Sequence, residues 1–390
     1  MGRTTPRWRG TGWAATSVSL KVLHLADVHL GARLSNFGGY ADQRRQEIAD
    51  AFRRAMDVAI QRDVHLVVIA GDLFDSRNPE RETVNVARRE LARLREAGIR
   101  SFGVPGTHDS LAFADSVYRR ENLPFDHFFT GPDFADPVEF EVDGHSVTVY
   151  GIAYDREQTT DGWRSLTRRH TEGIHIAIAH AACQDHPGWS IPADDLPFAP
   201  DDLEHLALDY VALGHYHNLR FFHRGEHVIG AYSGSVTGRN WKETGKRHVV
   251  LIEWEDAGSP PAVTAVPIQV RTLETGEIDV GGLPDSVAIA DAIRDACESS
   301  SIWRVTLTGD PDFVPSAEAI VAELEARYGY IEVHDATTLV TSRLLAERRE
   351  EETVRGEFFR RLLDAREKAD DERSRSVVDR AIKLGVEVFG

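Results

Sequence analysis

The sequence predicts an α/β fold with a layered core, followed by a small α+β unit and a helical end. Three observations predict it. Short apolar runs alternate with amphipathic stretches through the first two thirds of the chain. The pattern changes near residues 267–271. From residue 342 onward the chain is highly charged and keeps its apolar residues at helical spacing.

Residues 21–26 (KVLHLA) predict a strand. Over residues 41–60, Ile48, Phe52, Met56 and Ile60 mark one helical face. Residues 65–70 (HLVVIA) predict a buried strand, and residues 80–97 a helix stopped by Gly98. Strands follow at 101–104, 174–179 (IHIAIA), 210–213 (YVAL), 248–254 and 262–270. Residues 140–150 predict a hairpin turning at Asp143-Gly144. In the α+β unit a helix is expected near 287–298, a strand at 303–307, a helix over 316–328 and a strand at 330–334. Ser316 suits the N-cap of the second helix and Gly329 its stop. In the helical end, Val354, Phe358, Phe359, Leu362 and Leu363 form one stripe. Val377, Val378, Ala381, Ile382 and Val388 form another. The expected division is a flexible tail (1–19), a core domain (20–270), the α+β unit (271–341) and the helical segment (342–390). The tail carries Arg3, Arg7 and Arg9 with no apolar stretch, unlike a signal peptide.

Composition narrows the class. With 42% hydrophobic residues over 390, the chain has ample material for a packed core. No apolar run approaches the roughly 20 residues that span a bilayer. Cys183 and Cys297 are far apart and lack motif spacing, so a disulfide framework is excluded and a reducing cytoplasm is expected. Net charge is −18, and it is negative on both sides of residue 271. That argues against a protein that coats nucleic acid, so any such contact must be a local patch.

Five predicted strands end in residues of metal-ligand type. The clusters are Asp27 with His29, Gly71-Asp72 with Asp75, Thr107-His108-Asp109, His180, and Gly214-His215 with His217. In an extended backbone, residues two apart face the same way. Asp27/His29 and His215/His217 are therefore each expected to act as a pair. Carboxyl ends of strands are where crevices form in open sheets. A lone histidine is ordinarily a core or surface residue, and His24, His65, His145 and His175 are read so. Five clusters together imply a two-metal centre.

The set resembles the calcineurin-like metallophosphoesterases, whose pattern runs D-x-H, G-D-x-x-D, G-N-H-D/E, H and G-H-x-H. Order and spacing match across residues 27–217. The stretches LHLADVHLGARL, VVIAGDLFDSRNP, VALGHYHN and YSGSV are similar to those of the SbcD-type nuclease subunit of bacterial and archaeal double-strand-break repair complexes. So are the α+β unit, which matches that family's DNA-capping domain, and the helical end. The resemblance implies a layered β-sandwich core flanked by helices, and two divalent ions per chain. Asp27, His29 and His217 would hold the first ion, His180 and His215 the second, with Asp72 bridging. A shell of carboxylates and imidazoles suits Mn²⁺, with Fe or Zn as alternatives and Mg²⁺ less suited. His108 is the implied general acid. Asp75 would orient its imidazole, and reads equally as a helix cap. Thr107 stands where the pattern has asparagine. A hydroxyl is a poorer ligand than an amide carbonyl, so weaker second-metal binding is expected.

Arg239, Trp241, Lys242, Lys246 and Arg247 form the clearest basic run. Cations with an interleaved aromatic suit phosphate contact and base stacking, although a solvated hairpin loop has the same composition. Arg53-Arg54, Arg88-Arg89 and Arg119-Arg120 read as exposed helix faces. The resemblance further implies DNA as partner, an SMC-like ABC ATPase of the SbcC type gripped by the C-terminal helices, a homodimer, and a nucleoid-associated place in the cytoplasm. The expected function is a Mn-dependent DNA exonuclease and endonuclease within an ATPase–nuclease complex of double-strand-break repair or defence. Two alternatives stand beside it. One is a phosphoesterase acting on a small molecule or a protein. The other is a DNA-end-binding scaffold with attenuated nuclease activity, to which Thr107 alone points.

Overall fold

The computed structural model describes residues 19–154, 160–185, 195–311, 313–337 and 348–389. The expected tail up to residue 18, and residues 342–347 of the expected helical segment, lie outside the described residues. The chain forms two compact units. One comprises Met1–Arg33, Arg45–Val236 and Arg247–Gln269. The other comprises Leu34–Arg44, Thr237–Lys246 and Val270–Gly390.

The first unit begins with β1 (Leu20–Leu25), α1 (Ala41–Gln61, whose first turn belongs to the second unit), β2 (Leu66–Ala70), α2 (Arg81–Glu96) and β3 (Arg100–Val104). It continues with α3 (Val117–Arg120), β4 (His127–Phe128), β5 (Val138–Val142), β6 (His145–Gly151) and β7 (Ile174–His180). Then come α4 (Pro200–His205), β8 (Tyr210–Gly214), β9 (Arg220–Arg224), β10 (His227–Tyr232), β11 (His248–Trp254) and β12 (Ala262–Pro267). The strands form two six-stranded sheets, ordered β12-β11-β1-β2-β3-β4 and β5-β6-β7-β8-β10-β9. Neighbours from β1 to β4 are parallel, as are β6, β7, β8 and β10.

The two sheets share one core, which gives the layered sandwich that the family resemblance implies. Alternate residues Leu66, Val68 and Ala70 of β2 point into it, as do Ile174, Ile176 and Ile178 of β7. Each buried Val or Ile contributes roughly 1.5–3 kcal/mol. The intervening Val67 and Ile69 are buried as well, as expected for parallel strands covered on both faces. In α1, Ile48, Phe52 and Met56 are fully buried, but Ile60 is only half-buried and Ala59 takes the inward place. A strict four-residue step drifts off a helical face of 3.6 residues per turn. The hairpin turns at Asp143 and Gly144, whose φ values are 47° and 83° and suit a type I′ turn. The β9–β10 hairpin was not legible, because Arg220, His223, Arg224 and His227 interrupt its apolar pattern.

In the second unit, β13 (Leu273–Asp279), α5 (Ser286–Ala296), β14 (Ile302–Thr308), α6 (Ala317–Tyr328) and β15 (Ile331–Asp335) build a parallel sheet ordered β13-β14-β15. Ile289, Ile293, Leu307, Ile320, Leu324 and Ile331 form its core. Ser316 Oγ accepts from Ala319 N at 3.2 Å and caps α6, and Gly329, with φ 67°, ends it. The strand β13 escapes sequence reading because Leu273 and Ile278 are its only large apolar residues and they are five positions apart. Buried Arg44 ties the two inserted loops together, donating to Thr237 Oγ1 at 2.7 Å and to the Gly238 carbonyl at 2.5 Å. The remaining helices, α7 (Val354–Glu367) and α8 (Glu372–Phe389), split each predicted stripe. Phe359 and Ile382 are buried against each other, whereas Val354, Val377 and Val388 face solvent. Among the described residues no helix is long and apolar enough to cross a membrane. Both cysteines are free and buried.

Candidate metal centre

The carboxyl ends of β1, β2, β3, β7 and β8 converge, and every expected ligand sits on the residues just beyond them or on the last residue of β7. Asp27 and His29 do reach one site together, but strand pleat is not what pairs them. The strand β1 ends at Leu25, and both Asp27 (φ 51°) and His29 (φ 52°) are left-handed. Asp72 (φ 48°) and His215 (φ 109°) also have positive φ. For non-glycine residues this costs of order 1–3 kcal/mol each, and such strain gathers where a site needs it. Here it is held by neighbouring backbone. Asp27 N donates to Gly71 O at 3.2 Å and His29 N to Asp72 O at 3.0 Å. The turns, not an extended strand, aim these side chains inward.

Among the described residues, three groups of ligand atoms lie close enough to hold an ion. They are Asp27, His29 and His217; His29, Asp72 and His108; and Asp27, Asp72 and His180, with atoms within 4.8 Å of one another in each group. His29 Nε2 lies 3.2 Å from His217 Nε2 and 3.7 Å from Asp72 Oδ2. His180 is fully buried, and its Nδ1 faces the Ala70 carbonyl at 3.0 Å. A proton on Nδ1 satisfies that carbonyl and leaves the Nε2 lone pair directed at Asp72 Oδ2, 3.4 Å away. His180 Nε2 has no hydrogen-bond partner, which a bound cation would supply. His215 stands apart from these groups. Its ring meets that of His180 edge-on at 5.2 Å, but its Nε2 lies 3.7 Å from Asp195 Oδ2.

The electrostatics fit a cation. Burial raises the Asp27 carboxyl above its ordinary value, against the pull of His217 and His180. Burial acts the same way on Asp72, but His180 and His108 outweigh it and hold Asp72 low. Burial pushes His215 down to about 3, leaving it a neutral imidazole suited to coordination. Gly71 (φ 88°) has no room for a side chain, because a Cβ there would run into the His180 ring.

Thr107 and His108 both turn to Asp72. Thr107 Oγ1 donates to Asp72 Oδ2 at 3.3 Å and His108 N to Oδ1 at 2.8 Å. The carboxylate of Asp75 lies closer to His29 Nδ1 (3.1 Å) than to His108 Nδ1 (3.8 Å). It is the Asp75 backbone carbonyl that reaches His108 Nδ1, at 3.1 Å. Asp109, part of the sequence cluster but given no role there, braces the loops. It accepts from Gly106 N at 2.7 Å, Phe74 N at 3.1 Å and Tyr118 OH at 2.7 Å. Burial, with Asp72 nearby, pushes its carboxyl up to about 6.

The basic run divides between the units. Lys242 and Lys246 are exposed and Arg239 is half-buried. Trp241 is half-buried, packed on Phe37 at 5.7 Å with the Arg304 guanidinium over its ring at 4.5 Å, so a face expected to stack on a base is covered. Arg247 is 4% exposed, and its guanidinium donates to the carbonyl of His217 and to Asn218 Oδ1. It braces a ligand loop instead of facing solvent.

The family model for calcineurin-like phosphoesterases matches residues 20–219. The DNA double-strand break repair protein Mre11 of Sulfurisphaera tokodaii is 33% identical over 307 residues, covering 74% of this chain and 73% of that protein. Its namesake in Sulfolobus acidocaldarius is 24% identical over 329 residues, covering 80% and 81% respectively. An uncharacterized metallophosphoesterase of Bacillus subtilis, YhaO, is 27% identical over 239 residues, covering 60% of this chain and 57% of its own length. With this matching model and these relatives, the chain belongs to the calcineurin-like phosphoesterases, in their Mre11/SbcD-type group of DNA repair nucleases, and is a metal-dependent phosphodiesterase.

Proposed function

We propose that the protein is a Mn²⁺-dependent DNA nuclease, both exo- and endonucleolytic, and the nuclease subunit of an SMC-like ATPase–nuclease complex. The observation that carries the reading is the convergence of Asp27, His29, Asp72, His180 and His217, with His180 Nε2 buried beside Asp72 and making no hydrogen bond. The names of the Mre11 relatives support DNA as the substrate.

In this reading Asp27, His29 and His217 would hold one ion, and His180, His215 and Thr107 would hold a second, with Asp72 available to both. Two such ions would neutralise phosphodiester charge and lower the pKa of an attacking water. The protein's own contribution is placement. His180 is held by the Ala70 carbonyl and Asp72 by His108 N, and the Asp75 carboxylate lies beside His29 Nδ1. His108 is the general acid. The Asp75 carbonyl at Nδ1 fixes the ring and leaves Nε2 as the nitrogen that would pass a proton to the departing oxygen. Residues 271–341 serve as a DNA-capping domain and residues 342–390 as the grip on an SbcC-type ATPase. A homodimer in the nucleoid-associated cytoplasm completes the reading. The exposed Val354, Val377 and Val388 on α7 and α8 support the ATPase assignment.

The test is cleavage of labelled linear duplex DNA against a chromogenic phosphodiester, both with Mn²⁺. Greater kcat/KM on DNA is expected, with loss of DNA cleavage in His108→Ala. Turnover of the chromogenic substrate alone would assign the chain to small-molecule phosphoesterases. Deleting residues 342–390 and finding the ATPase still bound would remove the partner assignment.

A further inference from the structure

Two neighbouring cavities in the first unit carry a concentration of arginine that the metal-ligand residues leave unused. The first, of about 490 Å³, opens on Thr107 and His108 and is lined by Arg33, Arg77, Asn78 and Phe113. The second, of about 430 Å³, is lined by Asn78, Arg81, Arg88, Arg120 and Glu121. Asn78 borders both, so the two adjoin there, the second beyond the reach of His108, and together they are called the trough. Its Oδ1 accepts from Arg120 Nη2 at 2.5 Å, which draws that guanidinium to the junction.

The charge of the trough runs against that of the chain. Five arginines line it, against Asp75, Asp115 and Glu121, in a protein whose net charge is −18. Arg77 pairs with Asp115 at 3.1 Å and Arg88 with Glu121 at 2.7 Å. Both carboxylates are well exposed, so these pairs are worth little and exchange readily. Among the described residues, Arg33, Arg81 and Arg120 have no carboxylate partner at all. The cations are all guanidinium, which grips a phosphate with two parallel N–H bonds. Phe113 adds a flat apolar face beside His108, with the Arg77 guanidinium 4.0 Å from its ring centroid. A base can take the place of that guanidinium on the ring. In the sequence, Arg88 and Arg120 look like members of ordinary solvated helix faces. The fold brings them together with Arg33, Arg77 and Arg81.

We infer that this trough is the path of a single DNA strand leaving the metal centre on the His108 side. The strand's phosphates would pass Arg33 and Arg77, then Arg120, Arg81 and Arg88, with its first departing base near Phe113. This rests on the nuclease reading above. It adds the side of the centre on which the leaving strand lies and the residues that hold it.

The test uses the full chain and a fluorescein-labelled single-stranded DNA oligonucleotide, read by anisotropy in EDTA over a series of KCl concentrations. The variants are R81Q, R81Q/R120Q and R81K/R120K. Arg81 makes no side-chain hydrogen bond or ion pair among the described residues, so R81Q disturbs nothing that holds the fold. The expected result for R81Q/R120Q is a Kd raised by about tenfold. The slope of log K against log salt should be shallower by about 1.4, because two phosphates of a single strand would no longer meet a cation. R81Q should give about half that change in slope, and R81K/R120K should keep most of the parent's slope. In Mn²⁺, the ratio of kcat/KM on the oligonucleotide to that on a chromogenic diester should fall in R81Q/R120Q. Parental Kd and slope in R81Q/R120Q overturn the trough while leaving the nuclease reading intact, provided the parent cuts DNA. A parent that turns over the diester but neither binds nor cuts DNA overturns both. Tighter binding of RNA of the same sequence, or displacement by polyglutamate as effective as by unlabelled DNA, also overturns the assignment to DNA.

Discussion

Arg247 Nη1 donates to the carbonyl oxygen of His217 across 2.7 Å, and the same nitrogen reaches Asn218 Oδ1 at 3.0 Å. Ser235 N donates to that carbonyl as well, at 3.0 Å. The loop that presents His217 to Asp27 and His29 is therefore braced from two directions, and one brace is a buried cation. Arg247→Ala should weaken Mn²⁺ binding by about 10–100-fold, as loss of partners behind metal ligands does elsewhere. Titration calorimetry with Mn²⁺ measures this directly. Because Arg247 is buried, the salt slope of DNA binding should not change. A shallower slope with unchanged metal affinity would return Arg247 to the role of a phosphate contact.

Asp75 separates two roles by atom. Its carboxylate approaches His29 and its backbone carbonyl approaches His108. Asp75→Ala removes the first interaction and keeps the second. Mn²⁺ affinity should fall by about 10–100-fold. If affinity holds and only the dependence of rate on the leaving group changes, Asp75 acts through His108 instead.

Gly71 is a test of crowding. Alanine there meets both a φ of 88° and the His180 ring. Strain and overpacking together should cost roughly 2–5 kcal/mol. Urea denaturation gives the stability. Loss of Mn²⁺ affinity should accompany it, because the nearest side chain to move is His180. An unaffected Mn²⁺ isotherm would show that His180 does not bind the ion.

Thr107 donates to Asp72 Oδ2, the oxygen that also faces His29 and His180. Asparagine would offer a carbonyl in its place. Thr107→Asn should raise the occupancy of a second Mn²⁺ at limiting metal, measured by native mass spectrometry. Two ions per chain in the parent, with activity unchanged in Thr107→Asn, would remove the idea of a weakened second site.

His24 is buried beside Tyr210, with Nδ1 at 3.1 Å from the phenolic oxygen. Burial lowers its pKa from 6.5 to about 3. The folded state keeps this histidine neutral while the unfolded state protonates it. Its contribution is constant above pH 6.5 and turns unfavourable as pH falls from 6.5 towards 3. The slope is at most one proton, about 1.4 kcal/mol per pH unit. In His24→Leu, urea denaturation at several pH values should show that much less loss of stability on acidification. Identical slopes in parent and variant would refute the burial argument.

Much of the site was legible because its chemistry is local. Asp27, His29, Asp72, His108, His180 and His217 each follow an apolar strand run, and few other functions place such residues at so many strand ends. The mechanism that aims them was not legible. Positive φ at Asp27, His29, Asp72 and His215 is enforced by hydrogen bonds between strand ends distant in sequence, such as His215 N to Asp27 Oδ1 at 3.1 Å. Nor was the fate of the basic run, since neither the burial of Arg247 nor the covering of Trp241 by Arg304 has a local signal.

The sequence by itself singled out the candidate metal ligands, the strands that carry them, and the hairpin at Asp143-Gly144. Those features depend on residue type and on periods of two or 3.6 residues, which any short window contains. Only the tertiary structure decided what each group faces. Asp75 meets His29 through its carboxylate, Arg247 serves His217 from within, and Arg33, Arg77, Arg81, Arg88 and Arg120 gather around one trough. Hydrogen bonds and charge pairs depend on distances of a few ångströms between segments tens to hundreds of residues apart, and the chain fixes those distances only when the sheets close on their common core.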